Sequence, residues 1–123
     1  MKTILLLSIA LSGCALIPTP FDVSLYDRTV NISMTAKEVQ LQCGTTDVLT
    51  GVKVLNAQSK ALMKHTEFAS NDLHKPFTIL DKNITELNTI YTKGTPSTAY
   101  CKLKLTIIYH EIDLLLRGIG EKQ

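Results

Sequence analysis

The side chains with the widest chemical reach in this 123-residue chain are three cysteines and three histidines: Cys14, Cys43, Cys101, His65, His74 and His110. A thiolate attacks carbon, binds soft metals or pairs with a second sulfur, and its surroundings decide which. His110-Glu111 opens a His-Glu-x-x-His zinc motif, but Leu114 stands where the second imidazole must come. That motif is absent. His65 and His74 flank a turn and can approach one another, yet two imidazoles without further ligands make a weak metal site. Solvated turn histidines are the expectation. No serine sits in a nucleophile elbow between glycines, and no glycine-rich phosphate loop occurs. The reading is therefore a non-enzyme, with no catalytic residue, metal ligand or cofactor assigned.

Cys14 is set apart by what precedes it. Lys2 supplies one positive charge, and Thr3 to Ser12 (TILLLSIALS) is an apolar run. A permanent bilayer span takes about 20 residues, roughly twice this length. A charged start, a short apolar centre and small residues at its end describe an export signal. Leu11-Ser12-Gly13-Cys14 resembles the lipobox of bacterial lipoproteins. Ser12 and Gly13 are small enough for a peptidase groove, Leu11 fills a pocket, and the Cys14 thiol can accept a diacylglyceryl group. The resemblance spans only the first fifteen or so residues, and the remainder resembles no recognised family. It implies cleavage between Gly13 and Cys14, then lipid on Cys14; the alternative is an ordinary signal peptide with a coincidental cysteine. Ala15 after the cysteine, rather than Asp, implies an outer-membrane anchor with the domain facing the periplasm. Residues 14–21 then form the lipidated N-terminus and a spacer, in which Pro18 and Pro20 favour extended backbone.

Residues 22–123 must supply the domain. Removing Lys2 with the signal leaves 12 basic and 11 acidic side chains, too balanced for a nucleic-acid partner. Four amphipathic segments follow. The first, Asp22 to Cys43, carries Leu25, Ile32, Ala36, Val39 and Cys43 on one face, with Gly44 as its stop. An alternating set, Val30, Ile32, Met34 and Ala36, leaves a strand open there. The second, Asp47 to Phe68, has Thr46 as its expected N-cap and Val48, Val52, Leu55, Ser59 and Leu62 in line. Lys53, Lys60 and Lys64 fall on its solvated side. The third shows the cleanest pattern, Leu73, Phe77, Leu80, Ile84, Leu87 and Tyr91, with Pro76 in its first turn. The fourth is expected to open with Thr95 as N-cap and Pro96 as first residue. It carries Cys101, Leu105, Ile108, Ile112 and Leu115, broadened by Leu103, Ile107 and Leu114, and ends at Gly118 and Gly120. Lys102, Lys104, His110, Glu111 and Asp113 within it cost about 2.5–3.5 kcal/mol each near a bilayer centre, so it is a core helix and not a span.

Four helices on short turns predict an all-α, up-down-up-down four-helix bundle. With Cys14 committed to lipid, Cys43 and Cys101 are left as a pair outside the cytoplasm, where thiols oxidise. The end of helix one and the start of helix four share a pole in that topology, and both cysteines fall on apolar faces. A disulfide is expected, and two buried free thiols are the alternative. Tyr26, Tyr91, Tyr100 and Tyr109 are the candidate interface, since tyrosine suits interfaces; otherwise they seal the core edge. The expected role is a non-enzymatic binding or structural module, membrane-bound through its N-terminal lipid, that docks on another envelope protein. A phage-type lipoprotein for lysis (spanin-like) or superinfection exclusion is a second class, and a small periplasmic hydrolase a third.

Overall fold

A computed structural model describes residues 21–69 and 72–121. It contains four helices: α1 Val23–Leu41, α2 Val48–Phe68, α3 His74–Lys93 and α4 Thr98–Gly120. Among the described residues there is no strand. Each helix packs on the next in chain order and α4 closes back on α1, while the backbones of the diagonal pairs stay more than 8 Å apart between Cα atoms. This is the four-helix bundle that the periodicities require. The starts of α1 and α3 and the ends of α2 and α4 form one pole, called proximal below. The other is the disulfide pole.

The strand alternative in α1 fails on one side chain. Alternation would place Ile32, Met34 and Ala36 on one face, but Ile32 and Ala36 are buried while Met34 is exposed. Thr29 joins the same core, its hydroxyl donating to the Leu25 carbonyl at 2.7 Å, so its burial strands no polar group. Fully buried Ile32, Leu55, Leu87, Leu105 and Ile112 bring all four helices into one core.

Several predicted boundaries shift. Cys43 lies two residues past the end of α1, and Gly44 makes the turn with φ +87°, a left-handed backbone that glycine adopts without a Cβ penalty. Asp47, not Thr46, precedes α2. Its backbone is already right-handed helical (φ −81°, ψ −15°), whereas a side-chain cap needs extended geometry, and none forms. At α4 the cap is Ser97 rather than Thr95, with extended backbone and Oγ accepting the Tyr100 N–H at 3.1 Å. Pro96 therefore lies ahead of the helix, and Cys101 falls in its first turn. The far end runs through Gly118 to Gly120, because burial of Ile119 holds the last turn in the core.

Two glycines inside helices have opposite roles. A Cβ on Gly51 would stand 2.7 Å from Val39 Cγ2 and 2.6 Å from Gln42 Oε1, so this glycine lets α2 lie close against the end of α1. A Cβ on Gly118 would make only ordinary contact with Leu73, at 3.7 Å. Gly118→Ala should stabilise by about 0.5–1 kcal/mol through the unfolded chain. Gly51→Ala should destabilise by about 1–3 kcal/mol through overpacking, despite the better helix former. Urea unfolding reads both; stabilisation at both positions would refute the close approach.

Candidate functional site

The structure pairs two of the three cysteines. Cys14, with Gly13 before it, lies outside the described residues. Cys43 and Cys101 meet at the disulfide pole with sulfurs at bonding distance, 2.07 Å, and Cα atoms 5.8 Å apart. The turn at Gly44 swings the Cys43 thiol inward past the end of α1, and the first turn of α4 presents Cys101 to it.

The histidines do not form a shared site. At the proximal pole His65 Nε2 lies 2.7 Å from Asp22 Oδ2, while Asp22 Oδ1 accepts the Leu25 N–H at 3.0 Å. One carboxylate thus caps α1 and ties it to the last turn of α2. His74 Nδ1 is bonded to the buried Thr66 hydroxyl at 3.0 Å, and His110 is exposed, edge-on to Tyr109. No group of three His, Cys, Asp or Glu side chains converges among the described residues.

The His65 hydrogen bond, opposed by partial burial and helped by the Leu25 N–H, holds the Asp22 carboxyl below its usual value of 3.8. Such a group stabilises the fold above the usual value and ceases to do so as pH falls through the lowered one. Asp22→Ala should cost about 1 kcal/mol at neutral pH. Thermal melts should show its gap from wild type narrowing below a pH of about 4; a gap independent of pH would refute the pairing.

Two polar seams were not foreseen. Between α2 and α3, buried Ser59 donates to Asp81 Oδ1 at 2.7 Å, and the Lys60 ammonium reaches Oδ2 at 3.6 Å. Thr85 extends this seam by donating to Asn56 Oδ1 at 3.1 Å. Between α3 and α4, Asn83 Nδ2 donates to both Glu111 oxygens, at 2.7 and 2.8 Å. Burial pushes the Glu111 carboxyl up, while that bond and the Lys104 charge pull it back. Ser59 was visible as a polar residue in line with Leu55 and Leu62, and Asp81 falls four residues after Phe77 on the core face. Their partners lay on other helices.

None of the four tyrosines is exposed. Tyr91 is buried, and Tyr26, Tyr100 and Tyr109 are half-buried against the core. Tyr26 meets Phe21, and the Lys37 ammonium sits 5.0 Å over the Tyr109 ring. The core-edge alternative describes these positions. Exposed apolar surface lies elsewhere. Leu103, Ile107 and Leu114, expected to broaden the buried face of α4, instead form an outward strip along it. Ile79 of α3 is also exposed, and near it Leu73, Pro76, Leu114, Leu115 and Glu111 line an apolar groove of about 320 Å³. The contact between α3 and α4 is the sparsest in the bundle, which leaves room for this groove.

In class this is a small four-helix bundle with a cysteine pair across one pole and an apolar strip along α4. No protein-family model, curated protein or solved structure matches the chain.

Proposed function

We propose that this is a lipid-anchored envelope lipoprotein, cleaved before Cys14 and acylated on that thiol. Its bundle faces the periplasm from the outer membrane and docks, without catalysis of its own, on another envelope protein. The observation that carries this reading is the division of the cysteines. Cys43 and Cys101 lie at disulfide distance, a pairing that persists in oxidising compartments. The third cysteine falls at the last position of Leu11-Ser12-Gly13-Cys14. Both halves point to export.

Confinement to a membrane raises effective concentration, so a modest contact area is enough for docking. The strip of Leu103, Ile107 and Leu114, beside the groove at Ile79, supports such a contact. Mass spectrometry of the mature N-terminus should find an acylated cysteine at position 14. Cys14→Ser should leave the protein unprocessed or released from membranes; full processing with normal membrane retention would refute the anchor. Crosslinking in intact cells should recover one stoichiometric envelope protein through an α4 probe. Recovery of none, with turnover of a small substrate, would sink the docking role.

A further inference from the structure

The proximal pole carries an apolar feature that neither the core nor the α4 strip accounts for. Phe68, in the last turn of α2, is 89% exposed, the most exposed of the large apolar side chains described. Val23, the first residue of α1, is 61% exposed. The His65–Asp22 contact at 2.7 Å ties the start of α1 to the end of α2: Val23 follows Asp22, and Phe68 lies about one turn beyond His65 toward the pole. An exposed phenylalanine and valine therefore border the point where the chain arrives from Cys14.

We infer that this pole is a membrane-seating surface, with Phe68 and Val23 entering the interfacial layer of the bilayer that holds the lipid. The inference rests on the Cys14 anchor proposed above. Phe21 follows Cys14 by seven positions, a reach of at most about 25 Å when fully extended. Nineteen residues make α1 about 28 Å long. The tether therefore holds the proximal pole within reach of the headgroups, while the disulfide pole stands farthest out. Aromatic and aliphatic side chains seated in that layer lie about 5–10 Å deep, at the boundary of headgroup and acyl chain.

Charge does not drive the seating. Exposed Lys64 and Lys75 share this corner with exposed Glu67 and Asp72. With the signs balanced, a neutral phospholipid surface suffices, and Lys64, one turn behind Phe68, can extend its ammonium to the phosphates.

The chain contains no tryptophan, so Phe68→Trp installs a single reporter, with Leu103→Trp as the control on α4 near the other pole. Each variant is placed on phosphatidylcholine vesicles carrying brominated acyl chains. One arm uses protein purified with its own lipid. The other uses the chain from Cys14 onward, coupled through that thiol to a maleimide phospholipid with Cys43–Cys101 kept oxidised. The indole at position 68 should shift to the blue, be quenched by bromine and lose acrylamide quenching, unchanged by high salt. The indole at position 103 should stay accessible to acrylamide. If position 68 remains as accessible as position 103 in the coupled arm, the seating is refuted, whatever the native lipid proves to be. Shielding of position 68 only after envelope proteins are added would overturn it as well, in favour of a protein partner. Absence of acyl groups from native protein, with seating intact in the coupled arm, overturns the anchor alone.

Discussion

Replacing Cys43 and Cys101 together by alanine should lower the stability of the bundle by about 4 kcal/mol. The pair closes a loop of 58 residues, and the loss of unfolded-chain entropy for that length is about 4 kcal/mol in the loop-closure treatment. A domain of this size has a total stability of only about 5–15 kcal/mol, so the staple accounts for a large share. At roughly 4 °C or more per kcal/mol, the melting temperature should fall by about 15 °C or more. Reduction of the unmodified protein should reproduce the shift, because it removes the same cross-link without changing the packing. Melts followed by circular dichroism, with and without reductant, make the measurement; a change of only a degree or two would refute the constraint. The position of the pair sharpens the expectation. It joins the end of α1 to the start of α4, the first and last helices, and so encloses α2 and α3 in one covalent loop.

Leu105→Ala should destabilise by about 3 kcal/mol, and Leu103→Ala should change stability by under about 0.5 kcal/mol. The two leucines are two residues apart on α4, and hydropathy does not distinguish them. Leu105 is 0% exposed and Leu103 60% exposed. Removing a side chain from a close-packed centre loses its transfer energy and leaves a cavity that neighbours fill only in part. Removing one from the surface leaves only water. Urea unfolding of the two variants reads the difference directly; equal costs would mean that α4 is rotated about its axis from the orientation described. The same variant tests the proposed docking role, under which Leu103→Ala should weaken crosslinked capture of an envelope protein while leaving the fold intact.

These two predictions also mark where sequence reasoning stopped. The buried faces were largely legible: of the predicted face residues, from Leu25, Ile32, Ala36 and Val39 on α1 to Cys101, Leu105, Ile108, Ile112 and Leu115 on α4, all but the half-buried Leu73 lie in the core, while buried Thr29, Thr66, Asp81 and Ile119 were on no predicted face. On α4, however, Leu103, Ile107 and Leu114 read as extensions of that face, and they point out. A period of 3.6 residues defines a face relative to a helix's own axis. It does not say how far around that axis the neighbours will cover. The neighbours were α1 and α3, and the contact with α3 is sparse.

The polar pairs were beyond reach for a related reason. Asp22 with His65, Ser59 with Asp81, and Asn83 with Glu111 each join two helices. Their meeting depends on the axial offset of one helix against the next, to which a single-helix pattern is blind. The caps at Asp22 and Ser97 were set by which residue adopts extended backbone just ahead of the helix, and several polar neighbours compete for that place. Gly51 shows the sharpest change. Its cost to helix propensity was legible, but its use, admitting Val39 and Gln42 to close range, exists only once α1 and α2 are packed.

The order of amphipathic segments and breaks therefore determined the number of helices, their faces and the pole at which Cys43 and Cys101 would meet. Short turns between apolar stripes leave few other ways to bury them. Only the tertiary structure decided which apolar residues remain outside, because rotation and offset between helices are settled by the fit of all four surfaces at once.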